Sequence, residues 1–169
     1  MKSNTKSSDK RRNRCRWNQL QPGLTKGSRT RIFTSHNYED RSAIEPTEND
    51  LNWWKRQLEL PPEKRLFHVK LYLALEQSRV DGFEDVISWM PHGRAFKIND
   101  KEKFITQVLG PYLNMKPVHS SFIRQLGIYG FTRLTNASGK ESSGAYYNEY
   151  FLRGRPALLR RMTRVYTKG

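Results

Sequence analysis

The sequence predicts an α+β fold in which a three-helix bundle packs against a small four-stranded antiparallel sheet, behind a disordered basic N-terminal arm. Three observations predict it. Apolar residues recur at helical spacing in three segments between residues 63 and 130. Two pairs of short β-prone runs are each split by turn or loop residues. Residues 1–50 are rich in Lys, Arg, Ser, Thr and Asn and cannot bury enough apolar surface to offset ordering entropy.

The elements follow in order. Residues 1–61 form the arm, with a short apolar segment, DLNWWKRQLEL, at 50–60. Asp50 can cap a brief helix that presents Trp53, Trp54 and Leu58, either as an anchor on the domain or as a separate partner motif. The folded domain occupies 62–169, with Pro62 suited to the first turn of its opening helix. Phe67, Leu71 and Leu75 carry that helix to about Ser78. DVISW and AFKI, joined by MPHGR, read as a hairpin. A second helix starts with Asn99 and Glu102 in capping-box spacing and is loosened by Pro111, which lacks an amide donor.

The turn NMKPVH leads into HSSFIRQLGIYGF, residues 119–131. Ser120 or Ser121 suits the N-cap, Phe122, Ile123, Leu126 and Tyr129 form a buried stripe, and Gly130 suits the left-handed C-terminal position. Ser121, Arg124, Gln125 and Ile128 fall on the other face. GFTRL and AYYNEYF then read as strands separated by the polar loop TNASGKESSG. Helix, hairpin, helix, turn, helix and hairpin with a long loop is the layout of a winged helix-turn-helix. In RGRPALLRRMTR, Pro156, Leu158, Leu159 and Met162 predict a helical turn or two covering the sheet. Arg153, Arg155, Arg160, Arg161 and Arg164 are expected to stay wet, as a solubilising face, as phosphate contacts or for nuclear import.

Charge narrows the function. Thirty-one Lys and Arg face 16 acids, net +15, with a pI near 10.2. Residues 1–31 hold ten basic groups and one acid, and residues 115–169 hold ten and two, whereas the region between is neutral to slightly acidic. Two basic zones, one containing the third helix, point to a polyanionic partner, with nucleic acid ahead of anionic membrane. The arm also reads as a candidate nuclear import signal.

Signals for catalysis are weak. His36, His68, His92 and His119 show no metal-ligand spacing, and the lone Cys15 cannot build a zinc site or an intrachain disulfide. SGKES ends like a phosphate-binding loop but lacks the glycine five residues before Gly139. No enzyme, metal or cofactor is expected. Nucleic-acid reading has a concrete mechanism: Arg pairs bidentately with guanine O6 and N7 in the major groove, and Arg124 faces away from the buried stripe. Gln125 can reach a base or phosphate, and Lys116, Ser120 and Ser121 are candidate phosphate contacts.

SSFIRQLGIYGF resembles the SFxRQLNxYGF signature of heat shock transcription factor DNA-binding domains, and the likeness extends across residues 66–164. FHVKLYLAL matches the first helix of that family, ISW…GRAFKI its first hairpin, FITQVLGPYL its proline-bulged second helix, and YYNEYFLRGRPALLRRMTR its last strand and basic exit. The resemblance implies a nuclear winged helix-turn-helix transcription factor domain that binds inverted GAA repeats in double-stranded DNA. It implies that Arg124 reads the guanine while Ser120, Ser121 and Gln125 make backbone or water-mediated contacts. It also implies that the wing meets protein rather than a groove, so Lys140 is not assigned to DNA.

Two departures stand out. Gly127 replaces the asparagine that follows RQL in the signature, and the second-helix LPxYFK pattern becomes LGPYLN. The family follows this domain with heptads that trimerise, and no sustained heptad occurs among these 169 residues. The chain is expected to be either a piece of a longer protein or a short divergent relative with no trimerisation device of its own. A non-specific nucleic-acid binder and a protein-interaction winged helix are the alternative readings.

Overall fold

The computed structural model describes residues 40–135 and 141–165, so the expectations for the arm over 1–31, for Cys15 and for Lys140 lie outside the described residues. The first element is helix α1, Glu48–Glu59. Its N-cap is Thr47, not Asp50: the Asp50 amide donates to Thr47 Oγ1, and the Asp50 carboxylate accepts the Thr47 amide, completing a capping box. Trp53 and Trp54 turn inward rather than out. Trp53 stacks on His68 at 6.1 Å and Trp54 meets Tyr72 edge-on at 5.9 Å, while Leu58 stays exposed. The apolar segment is therefore an anchor on the domain.

Helix α2 spans Phe67–Asp81, starting later than expected. Pro62 opens a separate 3-10 turn, Pro62–Lys64, because the Arg65 guanidinium folds back to donate to the carbonyls of Gln57, Leu58 and Leu60. Those carbonyls lie at the C-terminal end of α1 and have no partners within the helix itself.

His68 on α2 is buried between Trp53 and Tyr129, and neither ring nitrogen has a well-formed hydrogen bond among the described residues. Burial pulls its pKa down to about 4, and the nearby Leu159 backbone offsets only part of that. The folded pKa lies below the unfolded value of roughly 6.5, so neutral His68 contributes stability that is complete above pH 6.5. That contribution is expected to fall between pH 6.5 and 4, by up to about 1.4 kcal/mol per pH unit. Urea titrations across this range check it: His68→Phe should flatten the slope.

Strands β1 (Ile87–Trp89) and β2 (Ala95–Ile98) form the expected hairpin, paired Ile87↔Ile98 through Trp89↔Phe96. Helix α3 (Lys101–Lys103) is capped by Asp100, whose side chain accepts the Lys103 amide; Asn99, the expected cap, instead donates to Glu84 O and Ser88 Oγ. It runs directly into a π-helical stretch, Phe104–Val108, which the Leu109 amide closes onto Phe104 O. The wider turn places Phe104, Val108 and Leu109 in the core ahead of the break imposed by Pro111, and Leu113 is buried just beyond it.

Helix α4 spans His119–Ile128 and is followed by β3 (Thr132–Arg133) and β4 (Tyr146–Tyr147). The sheet is antiparallel throughout, in the order β1-β2-β4-β3. This is the predicted α+β architecture. β4 is shorter than AYYNEYF suggests because Asn148 leaves the ladder: its Oδ1 accepts the Tyr150 amide and its Nδ2 reaches the end of α4. Phe96, Phe131, Tyr146 and Phe151 pack on one another through ring contacts of 5.0–5.8 Å, and Phe151 meets Tyr72 of α2 edge-on at 5.8 Å, joining the sheet to the helices.

A 3-10 helix, Pro156–Arg161, completes the fold. Its apolar residues Leu158, Leu159 and Met162 are buried, packing chiefly on α1 and α2 rather than over the sheet. Its arginines are not all wet, contrary to expectation. Arg160 and Arg161 both bind Asp50, at 3.0 and 2.8 Å, and Arg155 binds Glu45 and the Ile44 carbonyl.

Candidate nucleic-acid interface

Helix α4 is held from behind by aromatic packing. Phe122 is fully buried against Phe104 (4.8 Å) and Phe67 (5.7 Å), Leu126 is buried, and Tyr129 lies on Phe67 and His68. The expected stripe thus faces the core, with Ile123 half-buried at its edge.

The C-terminal end of α4 is clamped as well. Gly130 adopts φ +71°. The Gly130 amide donates to Gly127 O and the Phe131 amide to Leu126 O, the paired bonds of a Schellman motif. Asn148 Nδ2 donates to the carbonyls of Tyr129 and Gly130, and the Val165 amide to that of Ile128. A left-handed residue there suits glycine, and the carbonyls left over by the helix find donors on two other segments.

The opposite face is solvent-facing. Ser120, Ser121, Arg124 and Gly127 are exposed and Gln125 is half-buried. Ile128, expected with them, is half-buried and packs on the core. The N-cap is Val118 and not a serine, and no side chain caps the helix. Ser120 and Ser121 consequently sit inside the first turn, both exposed, beside the positive end of the helix dipole. Arg124 stands in the second turn rather than the first, nearer the middle of the exposed face. Lys116 is exposed on the turn just before α4.

Two further cations flank this start. His119 is held below its ordinary pKa first by burial, then by the charges of Lys101 from α3 and Arg133 from β3. Both lie far from α4 in sequence or across a turn, so no local pattern marks them; both are exposed and near enough to His119 for their charges to act on it. Arg164 returns along the chain to lie over the Tyr129 ring at 5.7 Å. Lys101 and Arg133 thus lie near the start of α4, Lys116 just precedes it, Arg124 stands in its second turn, and Arg164 reaches its other end.

By contrast, Arg155, Arg160 and Arg161 pair with acids on residues 45–50, which offsets their charge locally while leaving Arg160 partly exposed. Among the described residues no group of three or more His, Cys, Asp or Glu could hold a metal ion, and no helix is long and apolar enough to cross a membrane. The face offers the exposed side of α4 with Arg124 as the helix's one bidentate donor, two serines and nearby cations.

Comparison with known proteins agrees with this arrangement. The flocculation suppression protein of Saccharomyces cerevisiae is 37% identical over 76 residues, covering 45% of this chain and 9% of that protein. The heat shock transcription factor of the same yeast is 30% identical over 90 residues, 50% of this chain and 11% of that one. A heat shock factor protein of Xenopus laevis is 29% identical over 104 residues, 58% and 22% of the two chains. The chain thus spans between about a tenth and a fifth of the length of these relatives. Among solved structures, Chaetomium thermophilum Skn7 with SSRE DNA superposes with a TM-score of 0.52 at 26% identity, covering 59% of this chain and 98% of that one. The family model described as HSF-type DNA-binding matches residues 67–165, from the first residue of α2 to the segment that closes on α4, and the chain belongs to that family.

Proposed function

We propose that this chain is a sequence-specific reader of double-stranded DNA that acts in the nucleus, inserting α4 into the major groove at GAA-type repeats. The observation that carries the reading is the geometry of α4. Its inner face is locked by Phe122, Leu126 and Tyr129, and its outer face presents Arg124, with exposed Lys116 before the helix and Lys101 and Arg133 near His119 at its start. A rigid helix with one planar bidentate donor discriminates guanine, and the nearby cations supply sequence-independent attraction to phosphate. Arg124 is assigned to base readout; Lys116, Ser120, Ser121 and Gln125 are assigned to the DNA backbone or to supporting contacts.

Family membership and a superposition on a relative crystallised with SSRE DNA support the reading. One domain should hold one GAA unit weakly, and occupancy of inverted arrays would rise through effective concentration when other subunits bind beside it. No catalytic role is proposed.

A gel-shift panel tests the function. It compares an inverted GAA array, a scrambled duplex of equal length and a single-stranded RNA, each at 50 and 200 mM salt. The expected result is preference for the GAA array, with affinity that falls steeply with salt. Equal binding to all three would make the chain a non-specific nucleic-acid binder, and no salt-dependent binding would make it a protein-interaction module.

A further inference from the structure

Helix α4 carries a glycine that its own fold does not require. Gly127 lies in the interior of the helix, where glycine is among the least favourable residues. Its φ is not in the left-handed region, unlike that of Gly130 three residues later. A Cβ built at Gly127 meets nothing within 4 Å, so no neighbouring side chain or backbone excludes a larger residue. Neither conformation nor packing accounts for it, and the position is exposed.

Its direction does suggest a reason. At 100° per residue, Ser120 and Gly127 point within roughly 20° of each other, and Arg124 lies about 60° around from Gly127. Gly127 thus shares the outward face of Arg124, one turn further along. The C-terminal clamp of Asn148 and Val165 on the Tyr129, Gly130 and Ile128 carbonyls keeps this stretch of backbone fixed, so a surface meeting it meets bare main chain.

Resting on the function proposed above, we infer that Gly127 is a specificity-determining position where bound DNA approaches the helix backbone more closely than any side chain would allow. The missing side chain lets α4 seat deeper in the major groove and shortens the reach of Arg124 to the base edge. A methyl group at 127 would lift the helix away and weaken the base contact, while the phosphate contacts of the surrounding cations adjust and persist. The signature that this helix resembles carries asparagine here, so the seating depth of this chain differs from that of a helix with a side chain at the same place.

The test sets stability against binding. In the whole chain, Gly127→Ala should melt about 3–5 °C higher, because alanine favours the helix and its methyl group has open space. The same variant should bind the inverted GAA duplex at least tenfold more weakly than wild type, with unchanged binding to scrambled duplex. Gly127→Leu should deepen the loss without unfolding the domain. A variant that is more stable and binds GAA as well as wild type, or better, overturns the inference. Equal weakening on both duplexes overturns it too, since the effect would not act on base reading. If wild type itself binds no duplex, the proposed function fails and takes the inference with it; wild-type binding left untouched by both substitutions sinks the inference alone.

Discussion

Arg124→Ala is expected to lower affinity for an inverted GAA duplex by about 1–3 kcal/mol, roughly 5- to 150-fold, and to abolish the preference for guanine. The size follows from what is removed. Arg124 is exposed in the second turn of α4, so its loss creates no cavity and leaves no buried partner unsatisfied, and the fold should melt as wild type does. Lys101, Lys116 and Arg133 remain, so attraction to phosphate persists and affinity for scrambled duplex should change little. The check is a competition gel shift with all four bases at the guanine position. If the variant weakens equally on every duplex, Arg124 is a phosphate contact and base reading lies elsewhere on the face. Arg124→Lys should recover only part of the loss, because an ammonium cannot make the planar double bond to O6 and N7.

The second large effect concerns stability. Asp50→Ala is expected to destabilise the domain by roughly 2–3 kcal/mol, a fall in melting temperature on the order of 10 °C. The Asp50 side chain is only 1% exposed and accepts from Arg160, from two nitrogens of Arg161 and from the Thr47 amide. Its removal breaks the capping box of α1 and the ion pairs that tie α1 to the Pro156–Arg161 segment. The cost stays below that of a wholly buried pair because the Arg160 and Arg161 side chains are 45% and 27% exposed and can return to water.

The same site carries an acid dependence. Burial pushes the Asp50 carboxyl up, but hydrogen bonds from Arg161, Thr47 and Arg160 outweigh it and hold the carboxyl well below the usual carboxylate range. A folded pKa below the unfolded one means that this contribution is fully present above about pH 4 and is lost as pH falls below it. Thermal melts of Asp50→Ala and wild type should therefore converge toward pH 2. A variant that melts within about 2 °C of wild type at pH 7 would show that α1 is not part of the cooperative unit. Trp53 emission reports the same event, since undocking α1 separates Trp53 from His68 and moves it into water.

Much of this molecule is legible in its sequence, for physical reasons that can be named. The inner stripe of α4 shows because helical periodicity is local: Phe122, Leu126 and Tyr129 recur at a spacing that buries one face whatever they pack against. Gly130 shows because only a residue tolerant of positive φ closes a Schellman turn. The first hairpin shows because Pro and Gly in MPHGR interrupt two short β-prone runs. Arg124 shows because a face not used for packing is the complement of one that is.

Caps were less legible. Thr47, Asp100 and Val118 begin their helices, where Asp50, Asn99 and a serine are equally reasonable from local sequence. Competing partners settle these cases: Asp50 sits at the third helical position facing two arginines, and Asn99 is drawn off by Glu84 and Ser88. The fate of the C-terminal arginines was likewise hidden, since Arg160 and Arg161 meet an acid 110 residues and more away.

By itself, then, the sequence determined the class of fold, the order of its elements, the buried face of α4 and the exposed arginine on the other side. These depend on periodicity, turn chemistry and charge, which act between residues close along the chain. Only the tertiary structure decided which cations are spoken for and which remain open. It assigned Arg155, Arg160 and Arg161 to Glu45 and Asp50, and brought Lys101 and Arg133 to His119 at the head of α4. Charge pairing depends on distance through space, and distance through space is what folding creates between residues that the chain keeps far apart.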